Sequence, residues 1–200
     1  MVRNKASYKD VKLQGIVYLG IAPAKTLKTK LKLGKGAFLR SGTALYRGSE
    51  IGDNLQTGHN VVVRENNLIG DNVVIGVNSY LGPGNKIGNN VRIHTGVFLE
   101  NVTLEDNVII GPGVIFINDP YPPCKQCTQI VGGAHVAKNA VIGANASILA
   151  GIQIGANALV GAGSVVTKNI PANSVVAGNP AKVINKTSKL KSKHKHSLLK

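Results

Sequence analysis

Tryptophan is absent from this 200-residue sequence, and aromatic residues make up only 4% of it. A chain with so few planar rings has little to stack on unpaired bases, which argues against a nucleic-acid-binding protein. No apolar run approaches the roughly 20 residues of a transmembrane helix, and no long apolar stretch follows the N-terminal segment MVRNKASYKD. We therefore expect a soluble, cytoplasmic protein with no signal peptide and no stable membrane insertion.

Acidic residues are scarce at both ends of the chain. The formal net charge is +15, from 24 lysine and arginine residues against 9 acidic ones. Residues 1–47 hold eleven bases and one acid, residues 182–200 hold seven lysines and no acid, and the segment between them holds six bases and eight acids. A basic end is usually solvated and poorly ordered, with attraction to phosphates, nucleic acid or a membrane surface as the functional alternative. We expect such a basic tail over residues 185–200.

The only two cysteines form a single Cys124-x-x-Cys127 pair, in a segment that also contains three prolines. One such pair without a second is a weak metal signal. Inert reduced thiols, a metal held together with other residues or subunits, and a disulfide remain alternatives. We predict no metal site.

The sequence does contain a repeat of six residues. From Val136 to Pro171 it reads VAKNAV, IGANAS, ILAGIQ, IGANAL, VGAGSV, VTKNIP. Each block opens with an aliphatic residue and carries Ala, Ser or Ile four places later, while Gly and Asn in between tolerate the positive φ of a corner. A period of six fits neither an α-helix nor a simple alternation. It predicts an all-β fold, a parallel β-helix with three short strands per coil.

The same phase extends backwards through most of the chain. Hydrophobic residues recur every six positions from Ile21 to Leu99, with Thr57 as the single polar member, and the phase then slips by one residue. It is interrupted over residues 118–135, which predicts an excursion loop, and loops on rigid scaffolds often carry function. We expect one domain over residues 1–184, with coils that begin near Ile21.

The closing run IGANASILAGIQIGANALVGAGSVVTKNIPANSVVAGNPAKVI resembles left-handed β-helix, hexapeptide-repeat acyltransferases. The resemblance covers residues 27–184 and implies a left-handed fold, acetyl-CoA or a related acyl donor, and a homotrimer with active sites between subunits. A flat-sided prism also presents faces suited to packing around a threefold axis. The middle segment VRIHTGVFLENVTLEDNVIIGPGVIFINDPYPP is more similar to the branch that acetylates amino groups of nucleotide-linked deoxysugars. The implied function is acyl-CoA-dependent N-acylation of a nucleotide-linked amino sugar.

Candidate acceptor-side residues follow from the chemistry of acyl transfer, in which the attacking amine must lose a proton. Imidazole suits a base near neutrality, so His94 and His59 are candidates, each with a surface corner residue as the alternative reading. Three blocks per coil place His59 in one column with Thr95, which is beside His94. Many relatives use a loop histidine, but this chain has Asn118 at the matching place, as in the sugar-amine branch. We expect Asn118 to accept a hydrogen bond from the amine or to position it, with a simple corner turn as the alternative. We expect His135 to be structural or loop-anchoring.

Candidate donor-side residues come from the same resemblance, because relatives lay the pantetheine arm beside the last coils, where small residues let the backbone approach. Plain corner or core packing is the alternative for these small residues. Two lysines are expected to meet CoA phosphates, with an ordinary solvated lysine as the alternative. The predicted donor-side residues are Ala144, Gly151, Ala162, Gly163, Lys168 and Lys182.

Three other functions are open to this fold. A hydroxyl acceptor would make the protein an O-acetyltransferase, the nearest alternative. A zinc lyase of the γ-carbonic-anhydrase type needs two histidines five residues apart and a distant third, a spacing that His59, His94 and His135 lack. The complete donor-end pattern argues against a scaffold without catalytic activity.

Overall fold

The computed structural model describes residue 8 and residues 10–24, 28–119 and 132–190. Its strands form three sheets, and each coil of the chain contributes one strand to each sheet in turn. Neighbouring strands are parallel, apart from the last pair. The chain is a parallel β-helix of about seven turns, which confirms the fold predicted from the six-residue period. It is consistent with the left hand that the family resemblance implies.

The three sheets are named A, B and C in the order in which each coil visits them. Sheet A contains β1 Lys12–Gln14, β4 Phe38–Arg40, β7 Gln56–Thr57, β10 Val74–Ile75, β13 Arg92–Ile93, β16 Ile109–Ile110, β19 Val141–Ile142, β22 Leu159–Val160, β24 Ser174–Ala177 and β25 Lys182–Lys186. Sheet B contains β2 Tyr18–Ile21, β5 Ala44–Tyr46, β8 Val62–Val63, β11 Tyr80–Leu81, β14 Phe98–Leu99, β17 Ile115–Phe116, β20 Ser147–Ile148 and β23 Val165–Val166. Sheet C contains β3 Lys32–Leu33, β6 Glu50–Ile51, β9 Leu68–Ile69, β12 Lys86–Ile87, β15 Thr103–Leu104, β18 His135–Val136 and β21 Gln153–Ile154.

The core is a column of aliphatic side chains stacked along the axis. The block-opening residue is the second residue of each short strand and points inward, as for Val63, Leu81 and Leu99, which stack in register on sheet B and are 0% exposed. The small residue four places later is buried as well, as Ala140 and Ala146 show. Burial of each large aliphatic side chain stabilises the fold by about 1.5–3 kcal/mol.

Asparagine residues turn the corners between sheet C and sheet A. Asn54, Asn72 and Asn90 all have φ between 57° and 59°, the left-handed region that asparagine tolerates better than most residues. The side-chain amide of Asn54 donates to Asn72 Oδ1 at 3.0 Å, and that of Asn72 donates to Asn90 Oδ1 at 3.2 Å. This asparagine ladder runs along the exposed corners and connects each coil to the next.

The first coil differs from its prediction. Leu13 pairs with Leu39 and Leu19 pairs with Leu45, so coils begin at β1 and not near Ile21. Ile21 is half-buried beside a shift in strand register, because the first coil carries extra residues between β2 and β3. The prediction that the six-residue phase continues back to Ile21 is therefore wrong by one coil. Leu27, another member of that phase, lies outside the described residues.

The one-residue slip of the repeat and its interruption by a loop are both present in the structure. Lys86 pairs with Leu68 of the preceding coil and with Thr103 of the following one. The sequence separation from Lys86 to Thr103 is one residue shorter than that from Leu68 to Lys86, which confirms the slip. His135 pairs with Thr103 and opens β18, so the coil resumes before the predicted loop end at residue 135. Residues 120–131, most of that loop, lie outside the described residues.

The last coil closes with an antiparallel strand. β25 folds back on β24 and is followed by a 3-10 turn over Thr187–Lys189, so regular structure extends past residue 184, where the domain was expected to end. Residues 191–200 of the expected tail lie outside the described residues. Within the described part of the chain, no helix is both long and apolar enough to cross a membrane.

Candidate functional site

The corners that lead from sheet A to sheet B form one continuous edge of the prism, which we call the A–B edge. The predicted residues His59, His94, Ala144, Ala162 and Gly163 all lie on it. Backbone hydrogen bonds connect its coils one by one, from Asn78 N to His59 O, Gly96 N to Val77 O, Gly113 N to Thr95 O, Asn145 N to Pro112 O and Gly163 N to Ala144 O, all at 2.8–2.9 Å. His59 and Thr95 therefore share a column, as predicted.

The upper end of the A–B edge is nearly free of large side chains. A Cβ atom on Gly143 would lie 2.5 Å from the amide nitrogen of Ala162, so only glycine allows the two coils to approach. Gly161 lies close below Ala177 of the next coil, with little room for a side chain between them. Ala177 in turn pairs with Lys182 on β25. The A–B edge therefore offers a smooth strip with an exposed lysine at its end.

The corners that lead from sheet B to sheet C form a second edge, the B–C edge, which carries Asn118, Gly151 and Lys168. The register of β17, β20 and β23 places Asn118, Ala150 and Lys168 at equivalent positions in three successive coils. Successive coils lie about 4.8 Å apart, so Asn118 and Lys168 are separated by roughly 10 Å along the axis. Lys168 is exposed, and Asn118 is half-buried.

The predicted residues do not converge within one chain. His94 and Asn118 lie on different edges with the whole of sheet B between them, a side of the prism built from about six extended residues, or roughly 20 Å. A histidine side chain cannot cover that distance. A site that uses residues of both edges therefore needs the A–B edge of one subunit to face the B–C edge of another.

The backbone of His94 is held in place, but its ring is not. Ser79 Oγ donates to the carbonyl oxygen of His94 at 2.9 Å, and the His94 amide donates to Ile110 O at 2.9 Å. His94 and His59 are both exposed, and neither ring has a side-chain hydrogen-bond partner among the described residues. The fold fixes the place of each candidate base without orienting its imidazole.

A third histidine is oriented by a carboxylate. His135 Nε2 lies 2.7 Å from Glu105 Oε1, and the backbone amide of Lys138 donates to Glu105 Oε2 at 2.9 Å. The Lys138 amide and then the His135 imidazole lower the pKa of Glu105 below its ordinary value of 4.5. The contact agrees with the expected anchoring role of His135. The sequence did not reveal the partner, because an excursion loop separates the two residues along the chain.

A second ion pair lies on the B–C edge. Arg64 Nε and Nη2 donate to the two oxygens of Glu65, both at 2.8 Å, and Nη1 donates to Tyr80 Oη at 3.0 Å. Burial raises the pKa of Glu65, but the hydrogen bonds and positive charge of Arg64 lower it more, so the net shift is downward. The sequence analysis did not identify this pair. The sequence feature that could have revealed this ion pair is a basic residue directly before an acidic one at a predicted corner.

Two grooves run along the outer face of sheet C. The larger, about 1000 Å³, extends from Lys32 to Glu105, and the smaller, about 290 Å³, lies between His135 and Pro171. Neither groove is lined by any of the nine predicted site residues, although Asn169 in the smaller one is adjacent to Lys168. Groove size alone therefore does not locate the chemistry, whereas the small and titratable residues are arranged along the two edges.

In the part of the chain that the structure describes, no three His, Cys, Asp or Glu side chains come together as metal ligands. Cys124 and Cys127, for which a metal site and a disulfide were alternatives, lie outside the described residues.

Repeat models match two parts of the chain. Residues 133–168 match the bacterial transferase hexapeptide (six repeats), and residues 67–101 match the hexapeptide repeat of succinyl-transferase. A 2,3,4,5-tetrahydropyridine-2,6-dicarboxylate N-acetyltransferase of Staphylococcus carnosus (strain TM300) is 44% identical over 88 residues, which are 44% of this chain and 34% of that protein. The chain thus matches about a third of the length of such curated relatives.

Solved structures share the fold. A proposed acetyltransferase of Bacillus cereus is 27% identical, with a TM-score of 0.53 over 84% of this chain and 83% of that one. The polySia-specific acetyltransferase NeuO is 24% identical, with a TM-score of 0.50 over 94% of this chain and 90% of that one. The fold and the repeats define the class as hexapeptide-repeat β-helix proteins. Within it, the chain is similar to hexapeptide-repeat acetyltransferases.

Proposed function

We propose that the protein is an acetyl-CoA-dependent N-acetyltransferase that acts on the amino group of a nucleotide-linked amino sugar in the cytoplasm. The observation that carries the donor assignment is the side-chain-poor strip from Ala144 to Gly163, which ends near Lys182. A pantetheine arm can lie along such a strip, and a lysine at its end can meet a CoA phosphate. Similarity to an N-acetyltransferase supports a nitrogen acceptor.

The active site is proposed to form between subunits of a homotrimer. In one subunit the A–B edge supplies His94 and the donor strip, and in its neighbour the B–C edge supplies Asn118 and Lys168. The outer face of sheet B lies between these edges and is almost entirely apolar, with side chains from Tyr18, Ala44, Val62, Tyr80, Phe98, Ile115 and Val165. An apolar face of this extent supports packing against another copy of the chain.

The acceptor would bind close to the reacting carbonyl. Asn118 is proposed to accept a hydrogen bond from the amine, and His94 of the facing subunit is proposed to contact and orient the acceptor. His59 lies two coils below Thr95, roughly 10 Å further along the same edge, and is proposed to contact a distal part of the acceptor. Orientation of both substrates supplies much of the catalysis in such a transfer.

Release of CoA thiol tests this function. Acetyl-CoA should be supplied with a panel of nucleotide-linked amino sugars, the matching hydroxyl sugars and tetrahydropyridine dicarboxylate. We expect thiol release with an amino sugar, since hydroxyl sugars lack the nucleophilic amine. Activity only with the hydroxyl sugars would make the protein an O-acetyltransferase, and activity only with the dicarboxylate would replace the sugar as acceptor.

The acceptor residues are tested by substitution. We expect His94→Ala and Asn118→Ala each to lower turnover by roughly 10- to 10⁴-fold, because each removes a group that orients the acceptor or assists proton loss. Val77→Ala alters the same edge between the His59 and Thr95 coils and serves as the control. Steady-state rates equal to that of Val77→Ala in both variants would move the acceptor site away from these residues.

A further inference from the structure

The last strand of the column presents apolar side chains to solvent. Every residue of β25, Lys182–Lys186, is exposed. Val183 and Ile184 are 58% and 64% exposed, more than any other large hydrophobic residue in the described part of the chain. A bulge in the pairing with β24 leaves Ile184 without a partner residue and interrupts the strict alternation of faces along the strand. Two adjacent aliphatic side chains therefore remain uncovered by the described part of the protein.

The position of β25 puts these side chains at the end of the prism. Val183 pairs with Val176, which is 0% exposed and points into the core. Residues directly opposite each other in a sheet share a face, so Val183 lies on the axial side of sheet A, one strand beyond the last coil. β25 is also the final strand in the order of sheet A. This surface is therefore distinct from the outer face of sheet B, which is proposed to pack in the trimer.

The same strand and the turn after it carry positive charge. Lys182, Lys186 and Lys189 are exposed, and none of them forms an ion pair with another described residue. Ten lysines and no acidic residue follow Asp119 in the sequence. The positive charge at this end of the column is therefore not compensated by nearby acids along the chain. We call Lys182–Lys186 together with Lys189 the terminal patch.

We propose that the terminal patch attaches the protein to a membrane surface that contains anionic lipids. Aliphatic side chains beside lysines suit the boundary between lipid headgroups and acyl chains, where apolar groups leave water and amines meet phosphates. The headgroup region is hydrated, so the free edge of β25 can keep its hydrogen bonds to water there. Two aliphatic side chains give a peripheral, reversible attachment and not insertion of the chain.

The charge of the patch distinguishes this partner from two others. A second copy of the chain could pair with the free edge of β25, but lysines at a strand edge disfavour such pairing, and two terminal patches would bring like charges together. A nucleic acid would neutralise the lysines, but it would leave Val183 and Ile184 in water, and the patch has no aromatic ring on which a base could stack. An anionic bilayer accommodates both kinds of side chain.

Several copies of the patch can act together. A threefold axis parallel to the prism axes would place three terminal patches at the same end of the proposed trimer. Linked sites bind a multivalent surface more tightly than each site alone. Residues 191–200 lie outside the described residues, and their sequence adds four lysines to each chain. Attachment should therefore be measurable even though a single patch is small.

Cosedimentation with vesicles tests the proposal. The full-length protein, without acetyl-CoA, should be mixed with vesicles of phosphatidylcholine alone or with about 30% phosphatidylglycerol, which gives the surface a negative potential. We expect binding to the anionic vesicles and not to the neutral ones. High salt should weaken the binding at least roughly tenfold, because it screens exposed charges.

Two double substitutions separate the charged and apolar parts of the patch. Lys186→Gln with Lys189→Gln should weaken partition onto anionic vesicles roughly 10- to 30-fold, since each lysine near the surface contributes to the attraction. Val183→Thr with Ile184→Thr should weaken it roughly three- to tenfold through the loss of apolar groups. Threonine is β-branched and suits a strand, so the fold of β25 is kept. Circular dichroism melts establish that each variant is folded.

The matched charge control is Lys28→Gln with Lys30→Gln. These lysines are exposed near the other end of the column, several coils from the terminal patch. That separation exceeds the screening length of roughly 8 Å at physiological salt, so the control should bind nearly as well as wild type. Because net charge changes equally in both double variants, the comparison isolates the position of the charge.

Tryptophan fluorescence reports the contact directly, because the chain itself has no tryptophan. The emission of an Ile184→Trp variant should shift to the blue with anionic vesicles, as the indole leaves water. Ile16→Trp places the same reporter at a 55% exposed position in the first coil, where no shift is expected. Equal shifts at both positions would overturn the assignment to the terminal patch.

Other results would also overturn the proposal. They are a wild-type protein that does not bind anionic vesicles, patch variants that bind like wild type, and an equal loss of binding in the Lys28 and Lys30 control. A doubled mass in light scattering that Ile184→Thr abolishes would make a second copy the partner. Binding to duplex DNA by a protein that ignores vesicles would make the partner a nucleic acid. Since vesicle binding is measured without thiol release, its failure is distinguishable from failure of the proposed acetyl transfer.

Discussion

Single residues determine how the two proposed substrates are held. Lys168 is exposed on the B–C edge, next to the smaller groove, whereas Lys182 pairs with Ala177 above the donor strip of the A–B edge. The two lysines would approach one CoA molecule from different subunits. Their contributions should therefore be separable by the phosphate that each contacts.

Lys168→Ala should raise the donor KM and leave the saturated rate nearly unchanged, because a phosphate contact is equally strong in the ground and transition states. For an exposed charge we expect roughly a three- to tenfold increase, corresponding to less than about 1.5 kcal/mol. Dephospho-CoA donors should abolish the penalty if Lys168 contacts the 3′-phosphate. Lys86→Ala, which changes an exposed lysine on sheet C, is the control, and an equal penalty with both donors would assign Lys168 to another phosphate or to the fold.

Glu65→Gln should destabilise the protein at neutral pH and much less in acid. The folded-state pKa of Glu65 is lowered, so its ionised form contributes stability above the ordinary value of 4.5, and the contribution is lost as the pH falls through the folded-state pKa. Loss of the charged hydrogen bonds to Arg64 should cost about 1.5–3 kcal/mol at pH 7. Urea unfolding at pH 7 and pH 3 measures this. Glu100→Gln, at a residue without an ion pair among the described ones, is the control, and an equal loss at both pH values would contradict the linkage.

At the scale of elements, strands of two residues cannot hold a fold by themselves. Their register is maintained by corners that repeat the same conformation, and the asparagine ladder couples each corner between sheets C and A to the next. A residue other than glycine that lacks a polar side chain suffers the steric cost of a positive φ at such a corner and also loses the ladder bond.

Asn72→Ala should lower the free energy of unfolding more than Asn72→Gly. Both variants lose the bonds to Asn54 and Asn90, but only alanine must also adopt a φ of 58°, which costs about 1–2 kcal/mol. Urea midpoints at one fixed protein concentration give the comparison, and concentration must be fixed because assembly shifts apparent stability. Equal midpoints for the two variants would show that the amide ladder, and not backbone strain, selects asparagine here.

At the scale of the whole molecule, the outward faces of the three sheets differ in polarity. Sheet C presents Lys32, Glu50, Lys86 and His135, whereas the outer face of sheet B is largely apolar and carries the stacked rings of Tyr80 and Phe98, 5.6 Å apart. This difference supports sheet B as the face that packs in the proposed trimer.

Ile115→Lys should dissociate the proposed trimer, whereas Leu68→Lys should not. The two residues are 47% and 48% exposed, respectively, but Ile115 lies on sheet B and Leu68 on sheet C, so they form a matched pair. A lysine buried at an apolar interface is costly unless it is paired. Multi-angle light scattering measures the masses, and a dissociated Leu68→Lys variant beside a trimeric Ile115→Lys variant would move the interface to sheet C.

The sequence by itself determined the coil. A period of six is a local property, because each block encodes one side of the prism through one inward aliphatic residue and one corner. The same pattern placed His59 and Thr95 in one column, where the structure has them. It failed at Ile21, where the first coil has extra residues that the period does not register.

Tertiary structure alone decided which side chains meet. The pairing of Glu105 with His135 depends on where the chain resumes its coils after a loop whose length the period does not constrain, so no local pattern could reveal it. The separation of His94 from Asn118 likewise follows from their positions on different edges of the prism. The position of a residue within its coil follows from the local repeat. Which side chains meet across coils depends on where the repeat is interrupted.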